Sequence, residues 1–307
     1  MRDYPLQPSI PKLAPLSQLA TPPLRLGMTQ WSHNAWQRKF YPSGTKSGER
    51  LARYAEVFNT VEGNTTFYAS PSHATVANWK AATSDAFRFT FKFPQPITHQ
   101  MMLRHSDAMV SEFITLMQPL HERIGLWKIQ LPAAFGPQSL PDLKRFLTAM
   151  PTAYNVGVEV RHPAFFAKGD DERAFNSLLM EYNADRIIMD SRPVFAVPAD
   201  TDALLDAQQK KPAVPVHAIS TSNTPMVRFI GDPTLERNDA FFANWQKKIP
   251  QWIEEGKTPY LMIHTANNDQ APQLAERYYA KLREQILLPP LSPLTPSSVN
   301  DQQISLL

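Results

Sequence analysis

Residues 87–93 read FRFTFKF. Phenylalanine takes Phe87, Phe89, Phe91 and Phe93, and Arg88, Thr90 and Lys92 lie between them. A period of two makes this a strand with one apolar and one charged face. A strand with a wholly aromatic face needs an apolar layer against it, and what lies on the other face decides the architecture.

The neighbouring segments supply the layer. LRLGM (24–28), TVEGN (60–64), GLWKIQL (125–131), YNVGVEV (154–160), DRIIMD (185–190), MVRFI (226–230) and PYLMIH (259–264) also read as strands. Helical sequence follows each one: GERLARYAEVF (48–58), SHATVANWKAAT (72–83), HSDAMVSEFITLMQPL (105–120), SLPDLKRFLTAM (139–150), DERAFNSLLMEY (171–182), TDALLDAQQKK (201–211), AFFANWQKKIPQWIEE (240–255) and APQLAERYYAKLREQI (271–286). Strict alternation of strand and helix implies a parallel sheet. Eight units over residues 24–286 predict a single α/β domain, a (β/α)8 TIM-type barrel. An open doubly wound sheet is the alternative, but GMTQWSHNAW after the first strand is no Gly-rich phosphate loop.

The ends read differently. Six prolines in residues 1–23 and four in LPPLSPLTPSSVNDQQISLL predict an irregular N-terminal extension and a disordered Pro-rich tail over 287–307. The chain of 307 residues has no cysteine, which excludes disulfides, thiolate metal sites and a cysteine nucleophile. No apolar run is long enough to span a membrane and no secretory signal is evident, so a cytoplasmic location is expected. A net charge of +3 does not indicate nucleic acid.

In a barrel the helices take the apolar strand face, so the polar face points inward. That phase turns Glu62 and Asn64 inward on the second strand, Lys92 on the third, Gln130 on the fourth, Glu159 and Arg161 on the fifth, Asp190 on the sixth, Arg228 on the seventh and His264 on the eighth. All lie near the C-terminal strand ends, where barrel active sites form. Arg25, Arg88 and Lys128 lie deeper.

These stretches carry a resemblance. TQWSHNAW, FNTVEGNTTFYASP, FRFTFKFPQPITH, IQLPAAFGP and VEVRHPAFF resemble the YecE-like family, also called domain of unknown function 72, from about Leu24 to Arg283. VEGNTTFYA, RHPAFFAKG, DSRPVFA and KKPAVPVHA resemble its YecE branch. The resemblance implies a TIM barrel and no established reaction. Many members carry an asparagine pair in an aromatic context after the last strand. Here the region reads IHTANND, with Asn267 and Asn268 displaced behind His264.

Three chemistries fit the inward residues. The first is acid/base catalysis on a small, polar, anionic molecule by a hydrolase, lyase or isomerase. Glu62, Glu159, Asp190 and His264 are its catalytic candidates, and Trp31, Asn64, Lys92, Gln130, Arg161 and Arg228 its ligand-binding ones. Arg161 and Arg228 would be the main anion contacts, with Glu159 orienting Arg161. The second is a divalent-metal phosphoesterase or isomerase ligated by the same acids and His264. Three interspersed cations, isolated His99 and His162, and the lack of an H-x-D spacing speak against it. No metal residue is assigned and no cofactor is expected. The third is non-catalytic binding, with Trp31, Trp36, Phe67 and Tyr68 either stacking a ring or lidding the barrel. No G-x-S-x-G, phosphate-binding loop or dinucleotide fingerprint occurs.

Overall fold

The computed structural model describes residues 14–294. Nine parallel strands occur among these residues: β1 (Arg25–Met28), β2 (Thr60–Gly63), β3 (Arg88–Lys92), β4 (Ile124–Gln130), β5 (Val156–Glu159), β6 (Asp185–Arg186), β7 (Ile188–Asp190), β8 (Met226–Gly231) and β9 (Tyr260–Thr265). Their neighbour order is β6-β5-β4-β3-β2-β1-β9-β8-β7. Its two ends, β6 and β7, are halves of one segment interrupted at Ile187. The first half pairs with β5 and the second with β8, which gives a nearly closed barrel.

The helices between them are α1 (Arg50–Ala55), α2 (Thr65–Tyr68), α3 (His73–Ala81), α4 (Asp107–Met117), α5 (Leu140–Ala149), α6 (Asp170–Glu181), α7 (Arg192–Phe195), α8 (Asp202–Lys210), α9 (Asp239–Glu254) and α10 (Ala271–Arg283). Ser72 opens α3 by accepting a hydrogen bond from the Thr75 amide at 3.1 Å.

Phe87, Phe89, Phe91 and Phe93 are all buried in the layer between strands and helices. Phe91 stacks on Trp79 of α3 at 5.4 Å between centroids. Phe93 meets Phe113 of α4 at 5.8 Å and Phe146 of α5 at 5.5 Å. Gly63 makes room for this layer, since a Cβ there would lie 2.4 Å from the Phe91 ring.

Inside the barrel, Leu126, Ile187, Met226, Tyr260 and Met262 form a separate apolar plug. Gly157 faces it, and a Cβ there would lie 2.7 Å from Leu126 Cδ2. Arg25 and Arg88 lie near the N-terminal strand ends. Backbone carbonyls satisfy them: Ala86 for Arg25, and Asp85 and Phe87 for Arg88. They therefore do not add to the charge at the other end.

Residues 14–23 include a buried Leu16, whose amide donates to Pro290 O at 2.9 Å. Of the tail expected from 287, Leu288 and Leu294 are buried, and Pro289 O accepts from Tyr279 Oη at 2.8 Å. The rest of both extensions, 1–13 and 295–307, lies outside the described residues. No helix among the described residues is long and apolar enough to cross a membrane.

Candidate functional site

Above the plug, the inward side chains of β2, β3, β4, β5 and β8 form one network. Arg228 Nε and Nη2 donate to the two Glu62 oxygens at 2.7 and 3.0 Å, and its Nη1 donates to Glu159 Oε2 at 3.0 Å. Lys128 Nζ lies 2.6 Å from Glu159 Oε2 and 3.5 Å from Glu62 Oε1. Lys92 Nζ is 3.6 Å from Glu62 Oε1, and Arg161 Nη2 is 3.4 Å from Glu159 Oε1. Arg228, Lys128 and both glutamates are almost wholly buried. Isolated charges would be costly there, so the pairing is obligatory.

The network fixes the protonation states. Burial alone would raise the Glu62 carboxyl, but Arg228, Lys128 and Lys92 outweigh it and hold the group well below the usual carboxylate range. At Glu159 burial is likewise overcome, by Lys128, Arg228, Arg161 and Lys92. Burial, and then Lys128, push the Lys92 amine well below the ordinary lysine range. Burial, and then Lys211 and Arg228, push His264 well below 6.5, so its imidazole is neutral at physiological pH.

A cavity of about 360 Å³ opens from this network to the C-terminal face. Glu62, Asn64, Lys92, Arg228 and His264 line it, and Trp31 stands at its rim. Asn64 donates through Nδ2 to Thr29 O at 2.8 Å, which leaves its buried Oδ1 without a protein partner. His264 Nδ1 is 2.8 Å from Thr29 Oγ1. Lys92 Nζ also sits over the Phe67 ring, 5.6 Å from its centroid.

Glu159 and Arg161 stand behind this wall rather than in it. Gln130 lies beside Glu159 in register and is buried. Asp190 is placed differently from the expectation. It pairs in register with outward-facing Phe229, accepts from Trp245 Nε1 of α9 at 2.8 Å, and holds Arg192 at 2.7 Å. The segment alternates without a fault, with Ile187 and Met189 inward and Asp190 toward the helices. The rule that polar residues point inward fails here because the plug claims Ile187. Trp36 is also fully buried, its Nε1 donating to Asn268 O at 2.7 Å, so it offers no face to a ligand.

Thr29, Gln30, Ser32, Thr65, Lys211 and Asn268 also line the cavity and were not among the candidates read from sequence, and Tyr68, expected only as a stacking or lidding aromatic, joins them. Thr29 follows from the phase that turns Arg25 inward on β1. Tyr68, the last residue of α2, is 80% exposed at the rim. Lys211, the last residue of the helical segment read over 201–211, follows α8 in KKPAVPVHA and was given no role at the site. Burial, and then Arg228, bring its pKa down to about 8. No group of three or more His, Cys, Asp or Glu side chains suited to a metal occurs among the described residues.

Comparison with known proteins fits this architecture. The chain is 48% identical over 259 residues to UPF0759 protein YecE of Escherichia coli strain K12, covering 84% of this chain and 92% of that one. The same protein of Escherichia coli O157:H7 is 47% identical over the same length and shares. A crystal structure of a DUF72 family protein from Enterococcus faecalis V583 superposes with a TM-score of 0.67 at 18% identity, over 90% of this chain and 100% of that one. Another, from Thermotoga maritima MSB8, superposes with a TM-score of 0.64 at 20% identity, over 85% and 99%. These two likenesses bear on the fold alone. The family model described as "Protein of unknown function DUF72" matches residues 25–297, and with nearly half the residues identical to YecE across most of both chains, the chain belongs to that family.

Proposed function

We propose that the cavity takes a small anionic molecule, and that the protein is an enzyme acting on it by acid/base chemistry. One observation carries this reading. Lys92, Lys128, Arg161, Arg228 and Lys211 stand in or directly behind the cavity, against only Glu62 and Glu159. Such a surplus in a poorly solvated space favours a bound anion.

The roles expected from sequence shift accordingly. Glu62 and Glu159, ionised and held by cations, act as fixed counter-charges rather than proton carriers. His264 is neutral and oriented by Thr29, the state in which an imidazole accepts a proton or polarises a carbonyl. Lys92 and Arg228 face the anion. Arg161, expected as a main contact, supports Glu159 from behind. A divalent metal is less well served, because cations already occupy the carboxylates that would ligate it. Non-catalytic binding draws support from those same immobilised carboxylates, and turnover is what separates it from catalysis.

Thermal shift tests the anion reading. Phosphate, sulfate or citrate should raise the melting temperature, since a ligand at 100 times its Kd adds about 2.7 kcal/mol. Lys211→Ala should weaken the response. A response to neutral sugars alone, or none to any anion, overturns the reading.

A further inference from the structure

Lys211 differs from every other cation of the site. Lys92, Lys128, Arg161 and Arg228 each lie within ion-pair distance of a glutamate. Lys211 has no such carboxylate among the described residues, although it lines the same cavity.

Its position is fixed from both sides. α8 rests on a small core of Met189, Val194, Leu204, Ala207 and Ile230 beside the barrel mouth. Gln208 Nε2 ties it to the carbonyls of Val194 and Val197 at 2.8 and 2.9 Å. Immediately after Lys211, Pro212 O accepts from Ser191 Oγ at 2.8 Å. A lysine serving solubility needs none of this bracing. An amine held over a cationic cavity, without a counter-ion, has the setting of a nucleophile.

We propose that Lys211 is an amine nucleophile that forms an imine with the carbonyl carbon of a small anionic aldehyde or ketone, whose anionic group is held by Lys92 and Arg228. This rests on the anion reading above. The amine lone pair forms the C–N bond as the carbonyl π pair moves to oxygen. The nitrogen loses a proton and the oxygen gains one, giving a carbinolamine. Loss of water then leaves the C=N bond. Amine and carbonyl give imine and water, and nothing is oxidised or reduced. The neutral His264 ring, on the same cavity wall, is placed to carry the proton. The depressed pKa of Lys211 supplies a useful fraction of free amine near neutrality.

The test uses pyridoxal 5′-phosphate purely as an anionic aldehyde probe, with borohydride reduction and peptide mapping. At a stoichiometric ratio it should label Lys211 ahead of the other lysines, faster than unphosphorylated pyridoxal does. Inorganic phosphate should suppress the label. Lys211→Arg, which keeps the charge but cannot form an imine, should lose it while keeping a phosphate-induced thermal shift. If phosphate stabilises the protein but the label falls on other lysines, the nucleophile is overturned and the anion reading stands. If phosphate neither stabilises the protein nor suppresses labelling, the anion reading falls and this inference with it.

Discussion

Arg228 grips Glu62 through two parallel hydrogen bonds, 2.7 Å from Nε and 3.0 Å from Nη2, across 166 residues of sequence. Its remaining nitrogen, Nη1, reaches Glu159 at 3.0 Å. One guanidinium thus ties β8 to β2 and β5 across the barrel interior. The planar fork permits this, and a single ammonium does not.

Arg228→Met should therefore be among the most damaging substitutions in the chain. It leaves Glu62 and Glu159 buried with only lysines and Arg161 to offset them. Breaking a buried pair in this way costs about 3–5 kcal/mol. Urea denaturation should show a loss of that order, and Arg228→Lys should recover only part of it. A loss below about 1 kcal/mol would mean that Lys128 alone suffices.

Acid stability follows from the same network. Glu62 and Glu159 have folded pKa values below their ordinary ones. The unfolded chain therefore binds more protons as pH drops through the usual carboxylate range, and stability falls there. The contribution is fully present above that range and is lost progressively below it. Melting temperature should fall in two stages: first through about pH 6.5, where the unfolded chain takes up the proton that folded His264 refuses, and then below about pH 5, where Glu62 and Glu159 do the same. In Glu62→Gln the part of that decline due to Glu62 should vanish, leaving a lower but flatter profile.

Asp190 provides the contrast. It belongs to the helix layer, through Arg192 and Trp245. Asp190→Asn should cost roughly 1–3 kcal/mol, as expected for a disturbed buried charge-assisted pair, yet leave the thermal response to phosphate intact. Lys92→Ala should do the reverse and diminish that response. If Asp190→Asn abolishes anion binding while Lys92→Ala spares it, the assignment of these two residues is inverted.

How far these roles can be read from sequence depends on what sets each position. FRFTFKF fixes the phase of β3 because four aromatic side chains tolerate no face but the helix layer. The same phase places Glu62, Lys92, Glu159 and Arg228, whose strands are equally regular. It misplaces Asp190 because DRIIMD carries apolar residues on both faces, one set serving the inner plug, and only the pairing of β7 with β8 decides between them. Lys211 lies beyond any periodic argument. It sits just past the end of α8, and only the packing of Leu204 and Ala207 of that helix with Met189 and Ile230 brings it to the mouth.

Lys211 also makes a prediction about stability. Its folded pKa of about 8 lies below the ordinary lysine value of 10.5. Between those two values the unfolded chain holds the extra proton, so this group makes stability rise with pH across that window. Below about pH 8 both states are protonated, and the cost of holding an uncompensated ammonium beside Arg228 is constant and fully present. Lys211→Met keeps the apolar stem and removes the charge, so it should raise the melting temperature at pH 7. The gain, about 1 kcal/mol or somewhat more once solvent screening is allowed for, should shrink steadily between pH 8 and 10.5. A bound anion relieves the same strain, so phosphate should narrow the difference between wild type and Lys211→Met at pH 7. If Lys211→Met is less stable than wild type at pH 7, the ammonium is compensated within the folded protein. The case for an amine poised to react then loses its physical basis.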